Sequence, residues 1–200
     1  MNKSLARFAL PVLLFAVTGA TQAAQRDISF NPGANDFFEF TGSYVYYVDS
    51  NVSPFDTGGY KSVADSTSNQ WVLTNSYESS PTIFTSVGGM FDLDALWLAG
   101  AWGSQTLTIT GYVNGVELYT TTVDVTTTAE QYTFTNFQGI DKFSISTGSN
   151  YEKDPLLSNS GKQWALGNVT ITAVPEPEAY AMLLAGLAFV GAVARRRRGV

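Results

Sequence analysis

Two runs of alternating apolar and polar residues, separated by Asn114-Gly115, constrain this chain more than any other feature of its 200 residues. Leu107, Ile109, Gly111 and Val113 alternate with Thr106, Thr108, Thr110 and Tyr112, and Val116 begins a second run that ends at Val125. A period of two is that of a strand with one face in a core. Asn-Gly between two such runs specifies a two-residue type I′ turn, because both turn positions need φ > 0. The segment is therefore an antiparallel hairpin. A lone hairpin is marginal in water, so the rest of the chain must supply further strands.

The predicted strands are Phe37–Val48, Gln70–Thr74, Ile83–Val87, Ala95–Ala101, Gln105–Val113, Val116–Val125, Gln131–Phe137, Asp141–Ser146 and Trp164–Ala173. They are short, rich in Thr, Val, Tyr, Phe and Ile, and bounded by Gly, Asn, Ser and Pro. Between residues 24 and 174 no stretch carries a helical period with caps, so no helix is predicted there. No internal repeat of solenoid or propeller length is visible. The expected fold is all-β, an antiparallel β-sandwich or jelly roll over residues 24–174, long enough for one core.

Composition removes several kinds of chemistry. With no Cys and no His there is no thiol nucleophile, Ser-His-Asp triad, zinc-finger-type site or disulfide. The formal net charge is −6, but most of the basic residues lie at the ends. Residues 24–174 hold five Lys and Arg (Arg26, Lys61, Lys142, Lys153, Lys162) against fifteen Asp and Glu, a net of −10. Binding nucleic acid or anionic lipid requires phosphates to be neutralised by Lys and Arg, so a domain this acidic repels both, and nucleic acid is excluded as a partner.

Both ends have the layout of targeting segments. Lys3 and Arg7 precede the apolar run Phe8–Val17, and Gly19–Ala24 is small and polar. This is the order of a secretory signal peptide, assigned to residues 1–23 with cleavage by signal peptidase after Ala23, Ala20 and Ala24 being the alternatives. At the other end, Val174-Pro175-Glu176-Pro177-Glu178 leads into Ala179–Ala194, sixteen residues without a charge, and then Arg195, Arg196, Arg197 and Arg198. The prolines keep the entry extended. A helix over 179–194 would rise about 24 Å, slightly less than a hydrocarbon core of roughly 30 Å. The arginines would form a membrane stop on the cytoplasmic side of the inner membrane. A plain single-span anchor has the same geometry.

Pro175-Glu176-Pro177, the apolar segment and the terminal Arg cluster together resemble the PEP-CTERM sorting signal, over residues 175–200. The resemblance implies processing by an exosortase, a membrane-embedded protease for which Pro175, Glu176 and Pro177 are a substrate motif. It further implies export, a membrane-anchored precursor, and a mature form in the envelope or extracellular matrix, associated with exopolysaccharide and biofilm. The stretches Phe91-Asp92-Leu93-Asp94-Ala95, Thr110-Gly111-Tyr112-Val113-Asn114-Gly115 and Phe137-Gln138-Gly139-Ile140-Asp141 resemble galactose-binding-like jelly-roll domains. Those domains commonly begin their last strand with Asp-Asn, whereas this chain has Gly167-Asn168.

Within the ectodomain two kinds of site residue stand out. Asp92 and Asp94 flank Leu93, so on a strand both carboxylates face one way. Such a pair repels unless a cation or hydrogen bonds intervene, and Ca²⁺ takes oxygen ligands of this type. The pair is the metal candidate, with Asp141 and Asp56 as further donors, against a solvated turn as the default; no other cofactor is expected. Aromatic side chains (Tyr44, Tyr46, Tyr47, Trp71, Trp97, Trp102 and Trp164) offer flat faces for sugar rings or fill the core. Trp102, just before Gly103-Ser104, is the expected exposed glycan contact. The resulting expectation is a non-enzymatic exported protein. A secreted carbohydrate-active hydrolase using paired carboxylates is the alternative, together with a plain membrane-anchored protein.

Overall fold

In the computed structural model, Asn114 and Gly115 have φ of 51° and 79°, and the strands on either side pair from Val113 opposite Val116 to Gln105 opposite Val125. The hairpin is thus the one read from the alternation, with its type I′ turn. The structure describes residues 24–33, 35–49, 51, 53–78, 81–174, 184–191 and 194–195.

In chain order the strands are β1 (Gln25–Ser29), β2 (Phe38–Thr41), β3 (Ser43–Tyr47), β4 (Trp71–Asn75), β5 (Thr82–Ser86), β6 (Phe91–Gly100), β7 (Gly103–Val113), β8 (Val116–Val125), β9 (Glu130–Thr133), β10 (Lys142–Lys153) and β11 (Trp164–Ala173). They form two sheets with every pair antiparallel. One has the order β3-β4-β11-β6-β9, with β1 beside β11, and the other β2-β5-β10-β7-β8. This is a β-sandwich, as expected. Inward positions from both sheets make the core: Leu73, Leu93, Leu98, Leu107, Ile109, Phe143 and Ile171 are all inaccessible or nearly so. Phe84 and Phe143 stack at 4.3 Å, and Phe38 meets both edge-on, so neighbouring strands are locked in register by aromatic pairs.

Two expectations fail here. Phe37–Val48 is not one strand but two in different sheets, because the chain turns at Gly42 (φ 78°). Two helices, α1 (Pro54–Thr57) and α2 (Gly59–Thr67), also stand where none was predicted. The α2 sequence is poor in helix formers, and Ser, Thr and Asp compete for its backbone, as when the Thr67 hydroxyl donates to the Val63 carbonyl at 2.8 Å. Tertiary packing supplies what propensity lacks. Tyr60, Val63 and Ala64 bury against Val72, Ala99, Ala101 and Ala165 on the outer face of the six-stranded sheet, forming a second small core. Small side chains on those strands let the helix approach closely. Gly167 is the extreme case: a Cβ there would lie 2.7 Å from both Val63 Cγ1 and Thr67 Cγ2.

Candidate functional site

The sandwich ends at Ala173, and the Val174 amide donates to the Met90 carbonyl at 3.0 Å. Folded structure therefore runs right up to Pro175. Residues 1–23, the motif Pro175-Glu176-Pro177 and Arg196, Arg197 and Arg198 lie outside the described residues. Of the segment 179–194, residues 184–191 are helical and exposed, and Arg195 is helical and exposed. Among the described residues, no helix is long and apolar enough to cross a membrane.

Asp92 and Asp94 do share a face, as expected, and one oxygen of each is engaged by the protein. Asp92 Oδ1 accepts the Gly139 amide at 2.7 Å. Asp94 Oδ2 accepts the Thr172 hydroxyl at 2.7 Å and the Gln25 side-chain amide at 3.3 Å. Asp141 accepts the Asn114 amide at 2.7 Å, and Asp56 accepts the Ser158 hydroxyl at 3.3 Å. These carboxylates pin loops and strand ends rather than converging, and among the described residues no three acidic groups gather as a metal site.

Trp102 corrects the sequence reading. It is only 9% exposed, packed edge-on to Tyr60 with ring centroids 5.5 Å apart, in the small core under α2. A helix that propensity did not announce covers it, so its ring is not available to a sugar. The Gly167 departure has a related cause. Where the resembled domains carry Asp, α2 leaves no room for any side chain.

The exposed aromatic face lies instead on the edge strand β3. Tyr44, Tyr46 and Tyr47 are 44%, 36% and 46% exposed. Alternation puts Tyr44 and Tyr46 on the outer side and sends Val45 into the core. Tyr46 leans on Tyr60 at 5.1 Å, and Tyr47 lies over Trp71 at 4.9 Å with its hydroxyl donating to Gln70 Oε1 at 3.2 Å. Tyr47 follows Val45 in the alternation, so Tyr46 and Tyr47 are each backed by a neighbouring ring on opposite sides of the edge strand, and both stay partly open to solvent. Burial pushes the Tyr60 hydroxyl well above the usual tyrosine range, against the hydrogen bond with Thr74, with Tyr44 and Tyr46 adding to the rise. Tyr60 is a neutral support.

A second concave feature lies on the opposite side, where edge strands β8 and β9 part. There the Tyr132 hydroxyl of β9 donates to the Asp124 carbonyl of β8 at 2.6 Å and ties the two strands together. Burial, then Glu130 and Asp124, raises its pKa, which keeps that proton in place. Beyond it a groove of about 420 Å³ opens between Tyr119, Thr121, Phe134, Asn136 and Phe137. Its aromatic floor is held by ring contacts of 5.6 Å (Tyr119–Phe137) and 5.2 Å (Phe134–Phe137), and no lining side chain carries a charge at neutral pH.

Comparison with known proteins identifies the tail first. Residues 173–198 match the PEP-CTERM protein-sorting motif. The motif marks an exported protein processed at the cell envelope. No curated protein matches the chain. Among solved structures it is similar to TmCBM61 in complex with β-1,4-galactotriose, at 10% identity and TM-score 0.37, over 68% of this chain and 88% of that one. It is likewise similar to the family 32 CBM from C. perfringens NanJ in complex with galactose, at 13% identity and TM-score 0.35, over 66% and 93%. A family 89 glycoside hydrolase from Clostridium perfringens, in complex with 2-acetamido-1,2-dideoxynojirmycin, matches at 14% identity and TM-score 0.35, over 68% of this chain but 15% of its own.

Proposed function

We propose that this is a non-catalytic exported protein that holds neutral glycan of the extracellular matrix through the tyrosine strip of β3. The signal peptide 1–23 is removed on export. Ala179–Ala194, stopped by the four arginines, anchors the precursor in the inner membrane, and an exosortase reads Pro175-Glu176-Pro177 and frees the domain to join exopolysaccharide or biofilm.

The exposed rings of Tyr44, Tyr46 and Tyr47, which line both sides of the edge strand β3, carry the ligand half of this reading. Their apolar faces suit the C–H faces of sugar rings, and their hydroxyls suit sugar hydroxyls. A net charge of −10 over residues 24–174 favours neutral over acidic polymers. A non-catalytic role is supported by the carboxylates Asp92, Asp94 and Asp141, each committed to a structural hydrogen bond.

Two experiments test the two halves separately. Replacing Pro175-Glu176-Pro177 by Ser-Gly-Ser should leave export and membrane retention intact while uncleaved precursor accumulates in the membrane fraction of a host that encodes an exosortase. Equal retention of full-length protein with and without the motif would leave a plain single-span anchor. For the ligand, purified protein should be retained on neutral polysaccharide from the native matrix, and the triple substitution Tyr44→Ala, Tyr46→Ala, Tyr47→Ala should abolish retention. Unchanged retention would remove the strip from the reading.

A further inference from the structure

We infer that the end of the sandwich from which the chain leaves for the membrane is itself a bilayer-contacting surface, formed by Val87, Met90 and Val116. This rests on the proposal that residues 179–194 anchor the precursor. It adds that the domain stands on the lipid in one orientation instead of swinging from its tether.

The topology brings these residues together. The Val174 amide is bonded to Met90, and the next residue, Phe91, bridges to Ile140. The following residue, Asp141, accepts the Asn114 amide at the turn of the β7–β8 hairpin, beside Val116. Val87 ends β5 on the same side, its amide donating to the Phe37 carbonyl. The chain exit, the β5–β6 loop and the hairpin tip thus share one end of the sandwich. The exposed aliphatic side chains are distributed unevenly. Val87 (57%), Met90 (37%), Val116 (62%) and the neighbouring Leu118 (52%) are at or beside this end, whereas among the described residues of the domain Leu156 (71%) alone lies at the opposite one. Soluble surfaces tolerate scattered apolar residues, but a group on successive loop tips around one exit is the pattern of a contact surface.

Chain length sets the distance. From Val174 to Ala179 there are five peptide steps, which reach about 18 Å at full extension. The headgroup layer takes up roughly 5–8 Å of that. An anchored domain therefore cannot lift this end far from the lipid. Acidic groups share this end, each with a protein partner: Asp92 and Asp141 accept backbone amides, Asp36 pairs with Arg26, and the exposed Glu117 accepts the Thr120 hydroxyl, while the Lys142 ammonium sits over the Tyr112 ring at 4.7 Å. A bilayer is the occupant that fits, because the tether delivers this end to one and the contact surface is apolar.

The chain has no cysteine, so single-cysteine labelling of the full-length precursor tests the idea directly. Val87→Cys, Val116→Cys, Leu156→Cys and Leu187→Cys variants would carry an environment-sensitive fluorophore in vesicles of phosphatidylethanolamine and phosphatidylglycerol. All four positions are exposed, so folding is retained. The probes at 87 and 116 should emit to the blue and be quenched by lipids brominated near the headgroup, while the probe at 156 stays water-like. Water-like emission at 87 and 116, with the 187 probe quenched by deeply brominated lipid, would overturn this inference and leave the anchor standing. An unquenched probe at 187 would overturn both.

Discussion

Gly167→Ala tests whether α2 is an integral part of this sandwich. The backbone at Gly167 lies outside the left-handed region, so alanine can adopt it, and the substitution alone would gain about 0.4–1 kcal/mol through a less entropic unfolded chain. Against that, the new Cβ would fall 2.7 Å from Val63 Cγ1 and from Thr67 Cγ2, a distance that forces the helix or the strand to move. Overpacking of this kind costs typically about 1–3 kcal/mol. The net expectation is a loss of about 1–2 kcal/mol, or roughly 2–8 °C in Tm for a domain of this size. Thermal unfolding followed by circular dichroism would measure it. Adding Val63→Ala removes one of the two clashing groups, so the double mutant should be more stable than the sum of the single effects by at least about 0.5 kcal/mol. A Gly167→Ala protein as stable as wild type, or strictly additive effects, would mean that α2 does not press on β11 as described.

Replacing Asn114 and Gly115 together with valine should destabilise the domain by about 2–4 kcal/mol, since left-handed backbone costs roughly 1–2 kcal/mol for a residue other than Gly, Asn or Asp, and urea unfolding would show it. Trp102→Ala should cost about 3 kcal/mol or more as a buried truncation, while alanine at the exposed Tyr44 should change stability by less than about 0.5 kcal/mol; equal effects would contradict the assigned burial. The raised pKa of Tyr60 means that the folded state holds its phenolic proton more tightly than the unfolded chain, so this contribution is complete below the ordinary value of 10.0 and is lost as pH rises above it. Tyr60→Phe should therefore lower stability at neutral pH, through the lost bond to Thr74, yet flatten its fall above pH ~10 in alkaline melts.

The sequence was most legible where a local rule and the global fold agree. The hairpin around Asn114-Gly115 needs only period and turn chemistry, and both survive unchanged in β7 and β8. The sheet membership of β2 and β3 was not legible, because a sheet change at Gly42 leaves the apolar pattern of Phe38–Tyr47 continuous. Helix α2 was hidden for a different reason: its stability lies in Ala99, Ala101, Ala165 and Gly167, which are far from it in the chain and small enough to admit it. That one omission also explains the site errors. Without α2, Trp102 appears to sit bare at a strand end, and Gly167 appears to be a lost aspartate. The tyrosines of β3 were visible as residues, but only the pairing of Tyr47 with Trp71 and Tyr46 with Tyr60 shows which face remains open.

If the precursor is anchored as proposed, the charge and the apolar end of the domain act against each other in a way that would make a single cut sufficient for release. Val87, Met90 and Val116 are each roughly half covered by protein already, so full contact with lipid would contribute about 1 kcal/mol apiece. A total of about 3 kcal/mol falls short of the ~4 kcal/mol that corresponds to millimolar affinity. The excess of ten acidic residues over residues 24–174 further opposes approach to anionic lipid. Tethered, the same surface is held at an effective concentration in the millimolar range, where a weak contact is appreciably occupied. On the proposed processing, severing the tether near Pro175 would remove that concentration and the anchor together, leaving only a contact too weak to hold the domain at the membrane. The orientation inferred for the anchored precursor would also direct β3 away from the lipid, since its first residue Ser43 pairs with Asn75, whose side chain accepts the Trp164 amide at the far end of β11.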